Sequence, residues 1–175
     1  MSKSYATHPD ALAVLGEVSL SRNNPAEAIR LLNNSLSIAP NNTETLEKLG
    51  NTYIAIGNLP AAETAFNKLL IKKPGLISAV ISLATVHKRR GSHFSALDIY
   101  RKARQDFPDS IEIALSYSRF LADDEEYVAA IHEAQAALVL DGQNRDTLQV
   151  ISEIYAMAGD QENAQIFEER ARFAE

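Results

Sequence analysis

Apolar residues along this chain recur at helical spacing, and the clearest case is the segment 43–76. Its first half carries apolar residues at i, i+3, i+7 and i+10, which predicts an amphipathic helix with one apolar stripe. These residues are Leu46, Leu49, Tyr53 and Ile56. Its second half carries a stripe at i, i+4, i+7 and i+8, formed by Ala62, Phe66, Leu69 and Leu70. The segment is therefore predicted to contain two amphipathic helices.

Two residues delimit these predicted helices. Gly57 follows the first stripe, and glycine accepts the left-handed backbone conformation that a helix C-terminus needs. Pro74 follows the second stripe, where proline ends a helix because it has no amide hydrogen. The unit predicted for this segment is a pair of antiparallel helices joined by a tight turn.

The same unit occurs five times with a period of 34 residues. Alanines with this spacing are Ala28, Ala62, Ala96, Ala130 and Ala164. Prolines with this spacing are Pro40, Pro74 and Pro108, and glycines are Gly57, Gly91 and Gly159, with Glu125 in the intervening position. Such a period indicates a repeat array, in which stacked units bury each other's apolar stripes. The predicted array has repeats 9–42, 43–76, 77–110, 111–144 and a shortened 145–175, after an N-terminal extension of residues 1–8.

Small residues mark the predicted points of closest approach within a helix pair. Gly16, Gly50 and Ala84 occupy the same position of the first helix, opposite the recurring alanines of the second. A bulkier side chain at these positions is expected to cost about 1–3 kcal/mol through overpacking.

With these residues in register, the unit resembles the tetratricopeptide repeat (TPR), whose motif is W-x2-L-G-x2-Y, then A-x3-F, then P. The segment 43–76 matches the motif except that Leu46 stands in the tryptophan position. The other matching residues are Leu49, Gly50, Tyr53, Ala62, Phe66 and Pro74. The resemblance covers residues 9–175 and implies an all-α fold, a right-handed α-solenoid of antiparallel helix pairs that forms the TPR superhelix.

The fourth repeat departs most from this pattern. Its substitutions at the small, turn, aromatic and proline positions are Ser118, Glu125, Ala134 and Gly142. Tyr117 and Phe120 are expected to supply the missing bulk from neighbouring positions. Its acidic turn, residues 123–126, is expected to be exposed, and the repeat has either drifted or forms a contact site.

Composition and charge fit a folded domain with an uneven charge distribution. The chain is 46% hydrophobic and 23% charged, with a net charge of −6. Counting side chains, residues 1–76 carry +1, residues 77–110 carry +3 and residues 111–175 carry −10. The acidic end is interpreted either as a solvated surface or as a field that orients a charged partner.

The chain has no cysteine, and no signal-peptide pattern or long apolar segment is visible in it, so disulfides and membrane insertion are not predicted. Cytoplasmic location is the default expectation, although a periplasm would also suit the composition. Because the array starts near residue 1 and stops within a unit, we expect either a segment of a longer protein or a complete small one.

No catalytic or cofactor motif is found in the sequence. The four histidines, His8, His87, His93 and His132, lack metal-site spacing, and His87 is interpreted as a substitute for the motif tyrosine, packed between helices. Phosphate loops and nucleophile or zinc motifs are absent. The basic residues of the third repeat have no interleaved aromatic platform. We therefore expect a non-enzyme that binds no cofactor, metal or nucleic acid.

The resemblance implies that first helices line a concave groove in which peptides or partner helices bind. Helix geometry predicts that repeat positions 2, 5, 6, 9, 12 and 13 point into it. The candidate partner-binding residues there are Lys48, Asn51, Ile54, Ile81, Thr85, Lys88, Arg89, Leu115 and Arg119. Three apolar residues, Ile54, Ile81 and Leu115, are expected to form a strip that packing does not need, with positive charge around it.

The function predicted from this pattern is a protein–protein interaction scaffold that binds a peptide segment or partner protein in the groove. Two alternatives stay open: a substrate-recruiting segment of a larger enzyme of the glycosyl- or sulfotransferase type, and a self-assembling structural unit. The expected partner is a protein or peptide, with the chain itself a monomer or a weak homo-oligomer.

Overall fold

A computed structural model describes residues 8–174, so most of the predicted N-terminal extension and Glu175 lie outside the described residues. The described part is all α-helical and contains ten helices, with no strand. The first helices of the five repeats are α1 (Pro9–Ser21), α3 (Thr43–Ala55), α5 (Ile77–Arg89), α7 (Ile111–Asp123) and α9 (Arg145–Met157). The second helices are α2 (Pro25–Ile38), α4 (Leu59–Lys72), α6 (His93–Asp106), α8 (Tyr127–Leu140) and α10 (Gln161–Phe173).

Side-chain caps fix where many of these helices begin. Asn58 precedes α4, and its side-chain oxygen accepts a hydrogen bond from the Ala61 amide at 3.3 Å. The same arrangement recurs at Asn24, Asn42, Ser110, Asn144 and Asp160. Each cap satisfies an amide that has no partner inside the first turn of the helix.

The turn inside every repeat contains one residue with a left-handed backbone. The glycines Gly57, Gly91 and Gly159 have φ of 75°, 75° and 82°. The equivalent residues of the first and fourth repeats are Asn23, with φ 58°, and Glu125, with φ 63°. The turn geometry is therefore kept even where glycine is not, and residues 123–126 are exposed as predicted.

The chain forms two compact units, Met1–Ile99 and Tyr100–Glu175, here called the N-terminal and C-terminal units. The boundary lies within α6. In the N-terminal unit, α1 packs on α2, α3 on α4, and each of α2 and α4 packs on the first helix that follows it. Its core contains the predicted stripe residues Leu46, Phe66 and Leu69.

The C-terminal unit contains the pairs α7–α8 and α9–α10, with α8 packed on α9. The rings of Tyr100, Tyr117 and Phe120 cluster there, with centroids 5.3 Å apart for Tyr100–Tyr117 and Tyr100–Phe120. Tyr117 and Phe120, the residues expected to supply bulk in the fourth repeat, are both buried in this cluster.

The prediction that Ile56 belongs to the apolar stripe of α3 is wrong, because the residue is 42% exposed. It lies just after the last helical residue, Ala55, as the cap of α3. Helical periodicity no longer determines the direction of its side chain there, because the backbone has left the helix.

Candidate functional site

The first helices of the N-terminal unit form one continuous polar surface, which we call the first-helix face. α1 contacts α3, and α3 contacts α5. Lys48 Nζ donates to Glu17 Oε1 at 2.6 Å, and Ser78 Oγ donates to Glu47 Oε1 at 2.6 Å. Polar bonds thus link neighbouring first helices at the surface where the predicted site residues lie.

In α3, exposure on this face follows a narrow line of repeat positions, whereas in α5 the residues at the same positions are partly buried except Arg89. At about 100° per residue, positions 2, 9 and 13 lie within about 40° of one another, whereas positions 5 and 12 lie on one flank and position 6 on the other. In α3 the central residues, Glu44, Asn51 and Ala55, are exposed. The flank residues of the same helix, Glu47, Lys48 and Ile54, are only partly exposed. The predicted groove is therefore too wide, because adjacent first helices cover its flanks.

Lys48 is engaged in ion pairs within the unit. Its ammonium lies 2.6 Å from Glu17 Oε1 and 3.1 Å from Glu44 Oε1, and its side chain is 18% exposed. Burial alone would lower the pKa of Lys48, but the hydrogen bonds to the two carboxylates outweigh burial and raise that pKa. Its charge thus joins α1 to α3 in this structure.

Asn51 and Arg89 are the most accessible predicted residues of this face. Both are exposed, and within residues 8–174 the Asn51 amide makes no hydrogen bond. Arg89 donates from Nη1 to the carbonyl of Ile54 at 3.2 Å, which leaves further guanidinium donors. The structure therefore brings Arg89 beside the end of α3.

The remaining predicted residues of this unit are partly buried. Thr85 donates its hydroxyl to the Ile81 carbonyl at 2.9 Å, and Lys88 makes a polar interaction of its own. The expectation that packing does not need Ile54 is wrong, since Ile54 packs against the core cluster that contains Leu46 and Phe66. Ile81 is partly exposed and keeps some apolar surface.

Two predicted residues, Leu115 and Arg119, lie on α7 in the C-terminal unit. Leu115 is only 7% exposed, so the expectation of an accessible apolar anchor there is wrong. The reason is its flank position, which the tertiary packing of α7 covers. Arg119, at a central position of the same helix, is exposed as predicted.

His87 is packed between helices, as its sequence position predicts. Its Nε2 lies 3.8 Å from Glu63 Oε1, and Glu63 also pairs with Arg90. Its Nδ1 is buried without a hydrogen-bond partner among the described residues. The His87 side chain thus has a structural setting beside an ion pair of α4 and the end of α5.

Sequence reasoning missed a cleft of about 810 Å³ between α2 and α4. We call it the second-helix cleft. The two second helices do not contact each other, and α3 forms the floor between them. Its lining includes Leu46, Leu49 and Tyr53 from α3, Asn33 and Leu36 from α2, and Thr64, Lys68 and Lys72 from α4. Only the pair Lys68 and Lys72, one helical turn apart, could have suggested this surface from the sequence.

Two other kinds of feature are absent from the part of the chain that the structure describes. Residues 8–174 contain no group of three or more histidine, aspartate or glutamate side chains arranged to hold a metal ion. None of the helices in that range has the length and apolarity needed to cross a membrane.

Comparisons with known proteins identify the class of this fold. TTC0263, a thermophilic TPR protein of Thermus thermophilus, superposes with a TM-score of 0.73 at 18% identity, over 95% of this chain and 91% of that one. MamA (41-end) from Desulfovibrio magneticus RS-1 superposes with a TM-score of 0.68 at 20% identity, over 98% and 96%. YrrB, described as a TPR protein with an unusual peptide-binding site, gives 0.57 at 18% identity, over 92% and 83%. These likenesses confirm the all-α solenoid fold.

The sequence comparison agrees with this class. Residues 19–84 match the family model described as tetratricopeptide repeat. No match is found among curated protein sequences. The prediction of tetratricopeptide repeats is confirmed by this match over residues 19–84, and the solved structures confirm the predicted fold.

Proposed function

We propose that this protein is a non-catalytic scaffold that binds a peptide segment of a partner protein on the first-helix face. One observation carries the proposal: α3 and α5 lie side by side and present an exposed amide, Asn51, and an exposed cation, Arg89, beside the partly exposed Ile81. Peptide recognition uses such groups together, because amides bind the peptide backbone and apolar contacts hold its side chains.

The proposed roles follow from the donors that each residue retains. The Asn51 amide both donates and accepts, so it pairs with one peptide unit of the bound segment. Arg89 binds a carboxylate through the guanidinium hydrogens that are not bonded to the Ile54 carbonyl. Thr85 and Lys88 border this site, and Ile81 contacts an apolar side chain of the partner. Lys48 stabilises the first-helix face through its ion pairs with Glu17 and Glu44. Arg119 of the C-terminal unit stays a predicted partner contact.

The test is a selection of random dodecapeptides on the whole chain, followed by affinity measurements with variants. Asn51→Ala combined with Arg89→Glu should weaken the selected peptides by about tenfold or more, the equivalent of one lost charge-assisted hydrogen bond. Arg101→Glu, an exposed charge reversal of the same size on α6, is the control and should bind normally. Equal binding by the double variant and the control would refute the proposal.

Self-association is a second candidate function, and the open side of α1 favours it. Leu15 is 47% exposed, whereas Leu49, its equivalent in the next repeat, is 6% exposed beneath α2. Val14 and Val18 of α1 are exposed as well, which gives an apolar stripe. A second copy that packs its own α1 stripe there would bury both stripes. Light scattering should then find a dimer that Leu15→Glu dissociates, and a monomer at all concentrations would exclude this candidate.

A further inference from the structure

We propose that the second-helix cleft is a separate binding site for an acidic peptide segment that carries one large apolar side chain. This site is additional to the proposed function, because the cleft and the first-helix face lie on different sides of α3. At about 100° per residue, Leu49 and Tyr53 each lie about 160° from Asn51 around the axis of α3, so both are on the side of the helix opposite to Asn51. Changes to one surface can therefore be made without touching the other.

The shape of the cleft suits an apolar side chain. Its floor consists of stripe residues of α3, Leu46, Leu49 and Tyr53, with Leu36 of α2 beside them. Leu46 and Leu49 are almost fully buried, whereas Leu36 and Tyr53 are partly exposed, and the small residues Ala61, Thr64 and Ala65 line the α4 wall. At about 810 Å³ the cleft has the size of an ordinary ligand pocket. A bound apolar side chain would cover the apolar surface that Leu36 and Tyr53 expose in the cleft.

The rim of the cleft is positively charged and so favours a negatively charged peptide. Lys68 and Lys72 lie one turn apart on α4, and the described lining contains no acidic residue. Lys72 donates to Asn41 Oδ1 at 2.5 Å, and this bond joins two residues of the lining while leaving two ammonium hydrogens. Lys68 is exposed and makes no ion pair with any described residue. A carboxylate of the peptide would pair with these two cations.

Two further residues complete the recognition of a peptide. Asn33 lines the α2 wall, and its amide makes no hydrogen bond within residues 8–174, so it is available to a peptide backbone. Ile71 lies at the mouth of the cleft with 80% of its surface exposed. This exposed apolar residue offers a further apolar contact to the residues of the bound segment that flank its large apolar side chain.

To test this proposal, the whole chain is labelled with ¹⁵N and titrated with three pools of unlabelled octapeptides. The chemical shifts of its backbone amides are followed by NMR. Every pool has leucine, phenylalanine or tyrosine at its centre, flanked by acidic, amide or basic residues. The acidic pool should shift the amides around Asn33, Leu49 and Lys68 and bind about tenfold tighter than the amide pool.

Three variants locate the response. Lys68→Glu should abolish the preference for the acidic pool, whereas Lys73→Glu is a matched charge reversal outside the lining and should preserve it. Thr64→Trp fills the cleft from an exposed position and should remove binding of all pools. Asn51→Ala with Arg89→Glu should leave the cleft shifts unchanged, which separates this site from the first-helix face.

Four outcomes would overturn the inference. They are equal affinity for the three pools, no binding of any pool, shifts confined to the first-helix face, and equal effects of Lys68→Glu and Lys73→Glu. Thermal unfolding of each variant verifies that it is folded, and if Thr64→Trp fails this check, the lysine pair decides alone.

Discussion

A Cβ atom at Gly50 would lie 2.7 Å from Cζ of Phe66, closer than such carbon atoms approach in folded proteins. The Phe66 ring is fully buried, so it cannot swing into solvent. The absence of a side chain at Gly50 and the size of Phe66 are therefore one packing solution, which sets the separation of α3 and α4.

Gly50→Ala should destabilise the protein by about 1–3 kcal/mol, because the added methyl group overpacks the α3–α4 contact. Gly142→Ala, in the turn between α8 and α9, is the comparison variant without a close contact, since the nearest atom to a Cβ there, the Leu138 carbonyl oxygen, is 3.8 Å away. Urea unfolding measures both variants. Combining Gly50→Ala with Phe66→Leu should recover part of the loss, and strictly additive effects would contradict the proposed contact.

Glu125→Gly should stabilise the protein by about 0.5–1 kcal/mol, because Glu125 has φ 63°, a left-handed conformation that glycine adopts without the steric penalty of a side chain. Glu125→Gln separates charge from conformation, because it removes one of four consecutive acids but keeps the side chain. Thermal unfolding should rank the glycine variant above the glutamine variant, and the reverse order would show that charge repulsion dominates.

Asp160→Asn should reduce the loss of stability in acid. Hydrogen bonds from the side chain and backbone amide of Asn163 lower the pKa of Asp160 below its ordinary value. A lowered carboxyl pKa contributes stability above the unfolded-state pKa, and this contribution disappears as pH falls through the folded-state pKa. Asparagine still caps α10 but does not titrate. Unfolding at neutral pH and in acid below the unfolded-state pKa should show a smaller difference for the variant than for the wild type.

Arg145→Met should loosen the end of α10. The Arg145 guanidinium donates from Nε to the Ala171 carbonyl at 3.2 Å and from Nη2 to the Ala174 carbonyl at 3.1 Å. These carbonyls lie at the C-terminal end of the helix, where a cation is stabilising. Amide exchange in the last turn of α10 should become about fivefold faster. Unchanged protection in that turn would mean that the packing of Ala171 alone holds it.

The sequence predicts most of the local structure because local interactions determine it. The turn at Gly57 and the end of the helix before Pro74 each depend on the backbone preferences of one residue type. The apolar stripes of α3 and α4 depend on spacing within a single helix. The close approach at Gly50 also follows from the repeat, since small residues recur at that position.

The candidate sites depend on tertiary structure. Ile54 and Leu115 are apolar residues on the side of their helices away from the stripe, and spacing alone predicts that both are accessible. Whether a flank position is covered depends on how closely the neighbouring helix packs, a distance that involves residues of two or more repeats. The same reason explains why the cleft above Leu49 was missed.

By itself the sequence determined the 34-residue unit, its two helices, its turns and the class of protein, because these features repeat and depend on contacts close along the chain. Only the tertiary structure decided that the accessible line runs through Asn51 and Arg89, that Lys48 is paired with Glu17, and that α2 and α4 stand apart. Those features arise where side chains from different helices compete for the same space, and no single helix pattern contains that information.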